Sequence, residues 1–148
     1  MEPTTEMTAL SSDLAMYAAR LVRLIRQNNP QPAGIRAMST IDQHGPLGVT
    51  TLAQLDNCSQ PTMTGIVRQL LEQGWVSREP HPTDARSTLI GLTDEGRAEL
   101  TRVRAANAEL VASRIAHHPQ RTAADLAIAV GVLRDVLTEP TTNKENQP

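Results

Sequence analysis

The spacing of apolar positions along this chain predicts six helices, with one pair of short strands inserted after the fourth. Leu10, Leu14, Tyr17, Leu21 and Leu24 recur at steps of four and three, which puts them on one face of a first helix. Ser11 or Ser12 is placed to cap it, Asp13 suits its first turn, and Asn28, Asn29, Pro30 and Pro32 stop it. A second helix is predicted over 34–43, closed by His44-Gly45-Pro46. The third, TLAQLDN, is short and has Thr50 or Thr51 as its cap. The fourth runs over 59–74: Ser59 caps it, Pro61 sits where the N–H groups have no intrahelical partner, and Gly74 ends it as a left-handed cap. Met63, Ile66, Val67, Leu70 and Leu71 form its apolar stripe, and Gln60, Thr62, Thr64, Gly65 and Arg68 its polar face. Strands are predicted at 75–79 and 88–92, separated by PHPTDARS, whose two prolines and Asp make a loop. Thr93, followed by Asp94 and Glu95, starts a long helix carrying Leu100, Val103, Asn107, Leu110, Val111 and Ile115, and His117-His118-Pro119 breaks it. A last helix covers 121–138, with Leu126, Val130, Leu133 and Leu137 at helical spacing. Residues 1–9 and the polar, proline-containing 139–148 are expected to be disordered tails.

The order matters more than any one element. Two short helices joined by a turn and followed by a charged hairpin form a winged helix-turn-helix. The expected fold is therefore mainly α with a small two- or three-stranded β-wing. The winged region occupies 34–96, and helical segments at 10–33 and 97–138 flank it as a dimerisation region. An α-helix fits the major groove of DNA, and the residues near its N-terminus reach base edges. Here that end offers Ser59, Gln60, Thr62, Thr64, Gly65 and Arg68. Gln suits adenine, Arg suits guanine, and the Thr methyl suits thymine. Gly65 has no side chain to hold a duplex away. On the wing, Arg86 is expected to enter the minor groove and His81 to touch phosphate. Asp84 is expected to orient an arginine, either Arg86 or Arg78 across the hairpin.

Composition changes this picture little. The 148 residues fit one domain, and aromatics are reduced to Trp75 and Tyr17, so the core must be aliphatic. Trp75 is expected to fill the junction between the fourth helix and the wing. The net charge of −2 is unusual for a DNA binder and leaves phosphate contact to local charge. Cys58 is the single cysteine, and His44, His81, His117 and His118 match no compact zinc spacing, so neither a disulfide framework nor a metal is expected. Cys58 precedes the fourth helix, a position that can activate a thiol, and is otherwise a small buried hydrophobe. No apolar run is long enough to span a membrane, and the acidic N-terminus is unlike a signal peptide, so a cytoplasmic location is expected. No catalytic constellation or cofactor-binding motif is present, so no enzyme is expected.

The chain resembles the MarR family of winged-helix regulators. The matching residues are Pro61-Thr62-Met63-Thr64, then 70–76 (LLEQGWV), Asp84-Ala85-Arg86, and 92–97 (LTDEGR). The resemblance covers roughly residues 10–138. It implies a homodimer joined by its first and last helices, binding a pseudo-palindromic operator in double-stranded DNA, and acting as a repressor released by a small phenolic or aromatic acid. For such an effector, Tyr17, Arg20, Arg36 and His44 are the candidate polar groups. One departure stands out: the family's wing often carries Arg where this chain has Ala85, which removes one positive charge per wing. The alternative reading is a winged-helix protein-interaction module with weak or lost DNA binding.

Overall fold

The computed structural model describes residues 2–138, so the tail expected over 139–148 lies outside them. Its elements are α1 (Thr5–Asn28), α2 (Ile35–His44), α3 (Val49–Leu55), α4 (Gln60–Glu72), β1 (Val76–Pro80), β2 (Thr88–Leu92), α5 (Asp94–Ile115) and α6 (Ala123–Leu137). The first helix begins earlier than the spacing of its apolar residues suggests. The Thr4 hydroxyl accepts the Met7 N–H at 3.1 Å and closes its first turn, while Ser11 donates back to the Met7 carbonyl from inside the helix. Thr50 and Thr51 likewise lie within α3, which starts from Gly48 with no side-chain cap. Ser59 caps α4 as expected, and Thr93 caps α5 by accepting the Gly96 N–H at 3.0 Å.

The wing is an antiparallel pair with register Val76↔Leu92, Arg78↔Ile90 and Pro80↔Thr88. Pro80 therefore belongs to β1 and not to the loop. It lies on an edge strand, where a missing N–H is tolerated. A third segment joins by a single bridge: Leu47 and Ile90 exchange backbone hydrogen bonds of 3.1 and 2.8 Å.

The core lies between residues 35 and 103, with Met38, Leu52, Met63, Leu70 and Ile90 fully buried and Trp75 packed half-buried against it. A polar latch ties the end of α4 to the start of α5. Gly74 takes a left-handed conformation (φ 74°), its carbonyl receives the Thr93 hydroxyl at 2.6 Å, and the Trp75 carbonyl receives the Thr93 N–H at 3.1 Å. Gly96 passes so close to the Trp75 carbonyl that a Cβ there would overlap it. The Leu-Thr-x-x-Gly motif is thus the means by which wing and long helix share one geometry.

Two compact units are distinguished, 1–110 and 111–148. The first holds the whole core. In the second, α6 is well started, because Thr122 and Asp125 form a reciprocal capping box. Neither α1 nor α6 contains a single buried residue.

Candidate nucleic-acid interface

The start of α4 is built by its own side chains. Ser59 Oγ accepts the Thr62 N–H, and the Ser59 and Thr62 hydroxyls lie 2.8 Å apart. The Thr64 hydroxyl bonds back to the Gln60 carbonyl at 2.9 Å. These hydroxyls are oriented and still have spare lone pairs. Burial of Met63, Val67 and Leu70 fixes the rotation of the helix, which leaves Ser59, Gln60, Thr62, Thr64, Gly65 and Arg68 all exposed. A Cβ at Gly65 would meet nothing within 4 Å, so no protein packing requires glycine there.

The wing tip is organised differently from expectation. Among the described residues Asp84 pairs with no guanidinium. Its carboxylate accepts the Arg86 backbone N–H at 3.0 Å and the Ser87 hydroxyl at 2.9 Å. A short aspartate side chain reaches a backbone N–H two residues on more readily than a guanidinium held off by its own stem. Those two hydrogen bonds, the Arg86 N–H foremost, hold the Asp84 carboxyl below the ordinary aspartate value. His81 is also spent inside the loop: its Nδ1 accepts the N–H groups of Thr83 at 3.2 Å and Asp84 at 3.1 Å. Only Nε2 is left to donate outward. Arg68, Arg78 and Arg86 pair with no carboxylate among the described residues.

Comparison with known proteins adds to this geometry. A family model described as MarR family matches residues 28–88. An uncharacterised HTH-type transcriptional regulator of Mycobacterium bovis is 31% identical over 131 residues, covering 82% of this chain and 92% of that one. The chain belongs to the MarR family. The HTH-type transcriptional repressor YetL of Bacillus subtilis is 43% identical over 54 residues, covering 36% of this chain and 32% of its own. In fold, a MarR family protein from Bacillus stearothermophilus superposes with a TM-score of 0.66 at 21% identity, covering 91% of this chain and 96% of that one. The chain is therefore a MarR-family transcriptional regulator with a DNA-binding helix-turn-helix. Within the MarR wing, Ala85 is exposed between Asp84 and Arg86, so the missing charge is missing at the surface.

The four effector candidates are not gathered in one place. An open cleft of about 500 Å³ takes in Arg36 together with Arg26, Asp56 and Ile66, but not Tyr17, Arg20 or His44. Tyr17 and Arg20 instead face each other on α1, the guanidinium carbon 5.7 Å from the ring centre. Arg26 and Asp56 were not legible as site residues, since no local motif links positions so far apart on separate elements. Among the described residues no three of His, Cys, Asp or Glu gather as a metal site, and no helix is long and apolar enough to cross a membrane.

Proposed function

We propose that this MarR protein is a homodimeric, cytoplasmic repressor that reads a pseudo-palindromic operator, α4 lying in the major groove and Arg86 in the minor groove. The observation that carries the reading is the exposed polar start of α4 beside a wing whose arginines pair with no carboxylate among the described residues. Gln60 and Arg68 have the chemistry for base edges, Ser59, Thr62 and Thr64 for phosphates and thymine methyls, and the His81 Nε2–H for a phosphate. Asp84 serves by shaping the loop that presents Arg86. The absence of any buried residue in α1 and α6 supports a second copy covering them, as the resemblance implies. Repression is supported by the likeness of a 54-residue segment to a protein named a repressor. Release by a small aromatic acid is the finest part of the reading, and the cleft beside Arg26 and Arg36 has the charge to receive a carboxylate.

Fluorescence anisotropy tests the reading, using the duplex upstream of the protein's own gene and a series of salt concentrations. Wild type should bind with an affinity that falls linearly with salt on log–log axes. Arg86→Ala should weaken binding to all sequences and flatten that slope by about one per wing, hence about two per dimer. Gln60→Ala and Arg68→Ala should shift sequence preference instead. Weak binding to every duplex, unaltered by Arg86→Ala, favours the protein-interaction alternative, toward which the net charge of −2 and Ala85 lean.

A further inference from the structure

The turn that launches the recognition helix is held from outside by one arginine. Arg36, in α2, sets its Nε 3.2 Å from Asp56 Oδ2, and its Nη2 donates to the Asp56 backbone carbonyl at 2.9 Å. Asp56 caps the C-terminus of α3 and is the first residue of the turn. Its own N–H is bonded to the Leu52 carbonyl at 2.9 Å. The next residue, Asn57, is in the left-handed region (φ 52°), and Cys58 N–H returns to the Ala53 carbonyl at 3.0 Å before Ser59 caps α4. The pair is lopsided: the Asp56 side chain is 7% exposed and that of Arg36 60%. The Asp56 side chain is nearly covered, so losing Arg36 takes the ion-pair partner from a largely buried carboxylate and frees the turn to move.

We infer that Arg36 is a positioning residue for DNA recognition, acting through Asp56 to fix the turn that sets where α4 starts and how it points. The inference rests on the reading of α4 as the recognition helix. A direct phosphate contact by Arg36 predicts different results, because electrostatics and positioning give opposite signs at Asp56. If charge alone mattered, Asp56→Asn would remove a negative group near DNA and tighten binding. If Arg36 and Asp56 act as a clamp, Asp56→Asn weakens it.

The test uses the full chain and a duplex selected from random sequence by wild type. Arg36→Gln and Asp56→Asn should each weaken operator binding about tenfold. The double variant should be no weaker than the worse single one, because both break the same link. The slope of log affinity against log salt should match wild type, since no phosphate contact is lost. Cys58, in the clamped turn, supplies a readout that needs no DNA: its labelling by a thiol reagent should speed up in both single variants. It should speed up more than in Val103→Ala, a core variant that loosens the fold away from the turn. If Arg36→Gln does not fold, Arg36→Lys replaces it, keeping the charge and losing the two-point hold. Tighter binding by Asp56→Asn, a flatter salt slope for Arg36→Gln, or unchanged Cys58 labelling would each overturn the inference. If wild type selects no sequence, the DNA reading of α4 fails, and the labelling rates still decide whether the clamp exists.

Discussion

Asp84 shows how a single acidic residue can serve a surface that faces a polyanion. Placed free beside phosphate it would repel; engaged with the Arg86 N–H and the Ser87 hydroxyl, it becomes part of the loop's backbone. Its depressed pKa sets the sign of the pH dependence. A carboxylate whose folded value lies below its unfolded one stabilises the loop above the ordinary aspartate range, and that contribution is lost as pH falls through the lower, folded value. The Arg86 amide resonance should therefore hold its position from neutral pH downward and move only below about 3.9, the ordinary aspartate pKa. A midpoint at the ordinary value would mean that the carboxylate is not engaged. His81 adds a second constraint, because its Nδ1 can accept two N–H groups only while it carries no proton. Replacing it with Ala should loosen the same loop at neutral pH, seen as faster amide exchange at Thr83 and Asp84.

Two helical glycines should answer the same substitution with opposite signs. Gly65 lies in the interior of α4 with open space where a Cβ would stand. Alanine there should stabilise the free protein by up to about 1 kcal/mol, since glycine is the poorer helix former. If the α4 backbone approaches DNA closely, operator affinity should nevertheless fall. A gain in melting temperature without a loss of affinity would place Gly65 outside the interface. Gly96, at the start of α5, faces the Trp75 carbonyl, so Gly96→Ala should destabilise by about 1–3 kcal/mol in a thermal melt. This contrast also marks what could be read from the chain. Features written within four residues were legible: the Ser59 cap, the Gly74 stop, the Thr93 cap and the Met63, Val67, Leu70 stripe. Features that join distant positions were not. The Thr93 hydroxyl on the Gly74 carbonyl spans 19 residues and Arg36 on Asp56 spans 20, and neither leaves a periodic trace. The start of α1 was missed for a different reason. Thr4 acts as a cap through its hydroxyl, in a stretch where apolar spacing carries little signal.

At the scale of the molecule the unresolved account is apolar surface. α1 has 24 residues and α6 has 15, and neither buries one. Tyr17 is 59% exposed, and Ile128 and Val136 are each 68% exposed. Most of a helix's stability in a protein comes from packing its apolar face, however well it is capped. The proposed second copy would cover this surface, and it fits an operator of two half-sites about one helical turn apart, which takes two recognition helices. The core between residues 35 and 103 does not include α6. Val136→Asp should therefore split the dimer and leave the winged region folded. Sedimentation equilibrium should show a mass near 16.1 kDa for Val136→Asp and about twice that for wild type. Amide exchange at the buried Met38, Leu52 and Leu70 should be as slow in the variant as in wild type, while operator affinity collapses toward that of a single half-site. If Val136→Asp stays dimeric, or if wild type is itself monomeric at the concentrations where it binds DNA, then α6 is not the seam, and the two recognition helices must be spaced by some other element.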